Sequence, residues 1–184
     1  MNRTVIATAS LQSQRGVSLY QTLITLAIAG TLGTLAVPNF QPVLAHQRMH
    51  TSVNTLVTAL HLTRSEALTS RQRAVLCPTQ DGSECLDSHT EWHRGYMLYL
   101  DFNANRQRDE DEPVVRMFEV NRHIQLRSSR GRDHITYQAN GLASGSNATF
   151  LFCDSNRAAK PRMVVVANSG RPRVLPARDN SACG

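Results

Sequence analysis

"RGVSLYQTLITLAIAGTLGTLAVPNF", residues 15–40, decides how the rest of the chain is read. A basic residue and a glycine open it, and no charged residue occurs between Val17 and Val37. As a helix rising about 1.5 Å per residue, that run spans roughly 31 Å, the thickness of a bilayer's hydrocarbon core. Serine and threonine inside it do not forbid such a helix, because their hydroxyls can bond carbonyls one turn back. Pro38 lacks the amide its backbone bond needs, so a kink or local unwinding is expected there. Arg3 and Arg15 precede the run, which places the N-terminus on the cytoplasmic side and the bulk of the chain beyond the membrane. No small-x-small cleavage box ends the run. The letters alone leave a removed signal and a retained anchor both open.

At 184 residues the chain suits one compact domain behind an N-terminal appendage. Only 5% of residues are aromatic, so the core is expected to be small and mostly aliphatic. Of the net charge of +6, Arg3 and Arg15 supply two, leaving a moderately basic remainder. That balance is compatible with nucleic acid or an anionic surface without establishing either. The four cysteines, Cys77, Cys85, Cys153 and Cys183, all follow the apolar run. Beyond a membrane, two disulfides are the default for an even number. Three pairings are open; the favoured one is Cys77–Cys85 as a local staple with Cys153–Cys183 tying down the C-terminus. The competing reading, a zinc site from Cys77, Cys85, His89 and His93, lacks any Cys-x-x-Cys pair, and "SHTEWH" lies among strand and turn signals.

After Pro38 the pattern becomes amphipathic. Val53, Leu56, Val57, Leu60, Ala67 and Leu68 recur three and four apart, with Arg48, Arg64 and Glu66 off that stripe, so residues 43–70 read as a helix packing on a sheet. From Val75 the period changes. Strands are expected at 73–77, 95–102, 113–119, 124–128, 134–138, 148–153, 162–167 and 173–176, punctuated by "DGS" at 81–83, "NGLASGSN" at 140–147 and "NSG" at 168–170. One long helix followed by antiparallel strands gives an α+β architecture. The expected division is 1–16 leader, 17–37 membrane helix, 38–72 amphipathic continuation and 73–184 β-rich head.

These residues resemble the class III signal and N-terminal helix of type IV pilins and of the pseudopilins of type II secretion. Arg15 and Gly16 match the cut, Ser18 and Leu19 follow it, and Pro38 matches the family's helix-kinking proline. The head resembles the FimT/GspH branch: a Cys pair, Trp-x-x-Gly-Tyr, Asp-x-Asn-x-Asn, a Gly-rich turn, Phe-x-Phe-Cys, Ser-Gly-Arg-x-Arg and a terminal Cys. The resemblance implies cleavage after Gly16 by a prepilin peptidase, methylation of the new N-terminus at Val17, and retention of the apolar helix. It further implies an inner-membrane protein with a periplasmic head that partners other pilins or pseudopilins in a filament. One departure stands out: the family carries glutamate as the fifth residue after the cut, and here it is Gln21. That glutamate is thought to neutralise a neighbouring subunit's N-terminal amine in the apolar filament core. An amide accepts a hydrogen bond but cannot cancel a charge, which points to a filament position, such as the tip, without such a neighbour.

Two constellations could carry chemistry. In "NSGRPRVLPARDNSACG", Gly170 turns the chain and Arg171 and Arg173 follow at a spacing that puts both on one side of an extended segment. Arg157, Lys160, Arg162 and Arg178 lie nearby in sequence. Arginines so spaced suit successive phosphates, giving affinity without base reading. The motif looks like the Gly-Arg-x-Arg of FimT-type minor pilins that bind DNA for natural transformation. The plainer reading is a solvated hairpin, or arginines paired with acids such as Asp109 or Glu112. In "DFNANRQRDEDE", Asp101, Asn103, Asn105, Asp109 and Glu112 fall at positions 1, 3, 5, 9 and 12 of an EF-hand-like calcium loop. Position 6, which needs glycine, is Arg106, and an Asx-rich turn explains the same letters. Trp92 and Tyr96 read as core. The serines and histidines form no nucleophile pattern, so neither catalysis nor a cofactor is expected. The expected function is a minor pilin that binds double-stranded DNA. The alternatives are a GspH-type pseudopilin of type II secretion and a structural priming subunit without a ligand.

Overall fold

A computed structural model of the chain describes residues 16–177 and Cys183, and for residues 33–39 the backbone alone. The expected leader, apart from Gly16, and Arg178 lie outside the described residues. The chain divides into two compact units, Met1–Phe40 and Gln41–Gly184. Helix α1, Leu19–Ser70, starts in the first and ends in the second.

In the first unit, Val17, Leu19, Leu23, Leu26, Ile28 and Leu32 are all exposed. The hydroxyls of Thr22, Thr25 and Thr31 donate to the carbonyls of Ser18, Thr22 and Ile28 at 3.1, 2.9 and 2.9 Å, so they satisfy themselves within the helix. Among the described residues no helix is long and apolar enough to cross a membrane. The expected span, 17–37, runs into residues whose side chains are not described, and so does Pro38.

In the second unit, α1 buries Ala45, Met49, Val53, Leu56, Ala59, Leu60, Thr63 and Ala67. These recur three and four apart, the spacing of one helix face. Thr63 is tolerated there because its hydroxyl donates to Ala59 O at 2.7 Å. Two stripe positions differ from expectation: Val57 is only half-buried and Leu68 is 48% exposed. At about 100° per residue, Ala67 lies roughly 20° round the helix from Leu60 and Leu68 roughly 80°, so only the former faces the core.

Among the described residues eight strands follow: β1 Arg73–Pro78, β2 Tyr96–Asp101, β3 Val114–Phe118, β4 Ile124–Ser128, β5 Ile135–Tyr137, β6 Ala148–Asp154, β7 Arg162–Val166 and β8 Pro172–Pro176. A single 3-10 turn, Glu91–Arg94, precedes β2 and buries Trp92. The strands form two four-stranded antiparallel sheets, ordered β3-β2-β1-β5 and β4-β6-β7-β8. Period-2 alternation sorts their side chains. In the second sheet Ile124, Leu126, Phe150, Phe152, Val164 and Val166 join the α1 stripe in one core, while Gln125 and Arg127 point away. In the first sheet β1, β2 and β5 are buried on both faces, while the edge strand β3 is largely exposed. Ala74, Leu76, Tyr96 and Leu98 enter the main core, and Val75, Cys77, Met97 and Tyr99 form a smaller one with Cys85 and Val114. Trp92 meets Phe150 edge-on with ring centroids 4.8 Å apart, and Tyr96 stacks on Phe118 at 5.3 Å. Both aromatics are core, not base-stacking platforms.

Cys77 is bonded to Cys85 and Cys153 to Cys183, with Cα–Cα distances of 5.6 and 5.7 Å. The first staples the 79–90 loop to β1; the second returns the C-terminus to the end of β6. With every cysteine in a disulfide, the zinc alternative has no thiolates to use.

Candidate functional site

The β7–β8 hairpin pairs from Arg162↔Pro176 to Val166↔Pro172, leaving residues 167–171 as its turn. Gly170 N–H donates to Ala167 O at 2.8 Å, and Ala143 N–H donates to Asn168 O at 2.9 Å. Gly170 has φ +75°, a region that glycine enters without penalty. A Cβ there would lie 2.6 Å from Gly141 O and 2.7 Å from the Tyr137 ring. The buried Tyr137 hydroxyl donates to Gly170 O at 3.0 Å. Burial raises that phenol's pKa well above its ordinary value, against a smaller opposing pull from the Arg64 cation, so it stays a donor. The turn is therefore fastened to the 138–143 loop rather than free. Gly170 is buried and shapes the site from beneath.

Arg171 and Arg173 follow at once and are both exposed. Arg173 is registered opposite Val165, whose neighbours Val164 and Val166 enter the core, so Arg173 lies on the outward face of the sheet. Among the described residues the ion pairs are Arg94–Glu91 and His134–Asp133, which leaves both arginines without a carboxylate partner. The acids named above as partners are engaged elsewhere. Asp109 accepts the amides of Asn103 and Asn105 at 2.6 and 2.8 Å, and Glu112 accepts Phe102 N–H at 2.7 Å. Two exposed guanidinium groups on a fixed hairpin, with no counter-charge paired to them among the described residues, are an anion-seeking arrangement.

The other cations picked out from the sequence do not join them. Arg162 begins β7 while the turn follows its end, about 13 Å away at 3.3 Å per residue. Arg157 and Lys160 lie in the β6–β7 connection at that same far end, and Ala177 N–H donates to Pro161 O there. That end also holds Asp154, whose carboxylate accepts Ala158 and Ala159 N–H at 2.7 and 3.1 Å and so fixes the connection. A cleft of about 560 Å³ beside it mixes Arg127 and Arg157 with Glu91 and Asp154. The sequence cluster is thus two groups at opposite ends of one hairpin. Adjacency in sequence misled because a hairpin returns residues ten apart to one place and carries residues five apart away from it.

The 101–112 loop is satisfied largely within itself. Besides the amide bonds to Asp109, Asn103 Oδ1 accepts Asn105 N–H at 3.0 Å, Asn105 Oδ1 accepts Gln107 N–H at 2.7 Å, and Asp109 N–H donates to Glu112 at 3.2 Å. Arg106 takes φ +65° at the position where a calcium loop places glycine. Asp101 Oδ2 accepts Arg106 N–H at 3.3 Å, and Oδ1 is buried without a partner among the described residues. Among the described residues no three His, Cys, Asp or Glu side chains are grouped to hold a metal ion. The loop is a set of Asx turns.

Sequence reasoning passed over Arg64, Arg71 and Arg73. The folded chain brings them to the same end as Arg171, through the 138–142 loop that Gly170 touches. Only the pairing of β1 with β5, which sets Ala74 opposite Tyr137, could have revealed it.

A family model described as "Type II transport protein GspH" matches residues 52–170, most of the chain. No curated protein matches the sequence. Among solved structures, the type IV minor pilin FimU of Pseudomonas aeruginosa superposes with a TM-score of 0.55 at 18% identity, covering 71% of this chain and 90% of FimU. The solution structure of Escherichia coli GspH gives a TM-score of 0.51 at 13% identity, covering 73% of this chain and 92% of that one. At such identities the likeness is one of fold: a helix packed on antiparallel sheets.

Proposed function

The chain belongs to the family of the type II transport protein GspH, and we propose that it is a minor pilin whose head binds duplex DNA through the Arg171/Arg173 hairpin. In this reading a prepilin peptidase cuts after Gly16, Val17 becomes the methylated N-terminus, and residues 17–37 anchor the subunit in the inner membrane of a bacterium. The uncharged run and its exposed apolar side chains support that anchor. The head lies in the periplasm and the subunit takes its place among other pilins. Gln21 favours a position, such as the tip, where no neighbouring amine needs neutralising. The role is non-enzymatic: holding DNA for uptake.

The observation that carries the reading is a pair of exposed arginines, without a carboxylate partner among the described residues, on a turn locked by Gly170 and Tyr137. Such a pair gains by releasing counterions from a phosphate backbone, without regard to base sequence. The family description itself favours the second reading, a pseudopilin whose head contacts its siblings during secretion. One titration separates them. The full chain in detergent is titrated against a labelled duplex of random sequence between 50 and 200 mM salt. DNA binding predicts an affinity that falls steeply with salt, and in Arg171→Ala/Arg173→Ala a log–log slope flatter by about 1.8, two phosphate contacts at roughly 0.9 each. Absence of binding at 50 mM salt returns the protein to the secretion or priming reading.

A further inference from the structure

A cleft of about 410 Å³ opens where α1 hands over to β1, walled by Arg71, Arg73, Phe102, Gln138 and Asn140, with the carboxylate residue Asp101 also in its lining. The turn 138–142 that forms one wall is the same one that holds the β7–β8 hairpin. Gly141 O lies against Gly170, and the Cα of Gly141 faces Arg64 and Leu68 of α1 closely enough that a Cβ would meet them at 3.2 and 3.1 Å. Gln138 N–H donates to Leu142 O at 2.9 Å and Gly141 N–H to Gln138 O at 2.7 Å, closing the turn on itself. Arg64, Arg71 and Arg73 thus stand on one flank of a small rigid loop, and Arg171 follows Gly170 on the other.

We infer that this cleft is a second phosphate-binding site, continuous with the hairpin across the 138–142 turn, so that one bound duplex lies over this end of the head. The inference rests on the DNA reading above and enlarges its footprint. Arg71 is exposed and enters the cleft from a left-handed backbone position, φ 57°. Arg73 is half-buried and donates to Ala104 O at 3.4 Å, and both residues line the cleft. Neither forms an ion pair with a described acid. Asp101 is 1% exposed, so it offsets part of their field while presenting almost no surface to a ligand. The side-chain amides of Gln138 and Asn140 add neutral donors, as phosphate and sugar contacts use. Phosphates contacted from both flanks of a turn fix a duplex's direction, which a single pair of arginines on one hairpin does not.

The test uses the same titration with the full chain. Arg71→Ala/Arg73→Ala is expected to bind more weakly, with a salt slope flatter by about 1.8, and the fourfold variant with Arg171→Ala/Arg173→Ala to be flatter by about 3.6. Arg71→Lys/Arg73→Lys, which keeps charge, should restore the slope, and equal melting temperatures exclude misfolding as the cause. If Arg71→Ala/Arg73→Ala matches the parent while Arg171→Ala/Arg173→Ala loses binding, the cleft is no phosphate site and the hairpin reading survives. A parent that does not bind at all overturns both.

Discussion

Gly170 shows how much of a site can rest on one missing methyl. The "NSG" letters announce a turn, but any glycine-tolerant turn would read the same. What singles out Gly170 is the pairing of a left-handed backbone with two immovable neighbours, the Gly141 carbonyl and the Tyr137 ring. Alanine there must both adopt the strained φ and push backbone aside. Gly170→Ala is expected to destabilise the protein by roughly 3 kcal/mol, or about 6–12 °C in Tm for a domain of this size. Gly141→Ala meets only the side chains of Leu68 and Arg64, which can swing away, and should lose much less beyond its own backbone strain. Thermal unfolding of the two variants side by side checks this; equal losses would mean that the packing against Gly141 and Tyr137 does not matter.

At the scale of elements, the strands were legible because alternation and turn letters are local signals, and each of the eight begins and ends within a residue or so of its expected place. Their division into two sheets was not. β5 leaves its sequence neighbours to pair with β1, and β4 reaches past β5 to pair with β6. Both choices depend on long-range burial, which no local window carries. The same blindness grouped Arg157, Lys160 and Arg162 with Arg171 and hid Arg71 and Arg73. Beyond β8, Ala177 N–H donates to Pro161 O at 3.3 Å, and the disulfide Cys153–Cys183 ties Cys183 back to β6. It closes a sequence separation of 30, against 8 for Cys77–Cys85. On loop-entropy grounds the longer closure contributes about 3.5 kcal/mol and the shorter about 2.5. Replacing both Cys153 and Cys183 with serine should therefore lower stability more than the same change at Cys77 and Cys85. Urea unfolding of the two double variants would show it, and a reversed order would point to native packing rather than chain entropy.

For the whole molecule the same ledger of near and far applies to its charges. The sequence has a single lysine, Lys160, and arginines keep their protons to very high pH, so the alkaline limb of stability belongs to the tyrosines. Three of the four are buried: Tyr96, Tyr99 and Tyr137. Burial raises each above the ordinary value of 10.0, and at Tyr99 the nearby carboxylates of Asp101, Glu112 and Asp109 raise it further. The folded state thus keeps three protons that the unfolded chain releases near pH 10. Stability from these groups is complete below that pH and is lost as pH rises above it, by up to about 4 kcal/mol per pH unit for three phenols. The melting temperature should be flat to about pH 9 and fall steeply beyond 10. Tyr99 offers the cleanest check, because its buried hydroxyl has no hydrogen-bond partner among the described residues. Tyr99→Phe removes an unsatisfied polar group at the cost of nothing bonded, so Tm at pH 7 should hold or rise. Above pH 10 its loss of stability per pH unit should be about a third smaller than the parent's. An unchanged alkaline slope would mean that the Tyr99 phenol reaches water in the folded protein, and that the smaller core over the outer face of the first sheet opens readily.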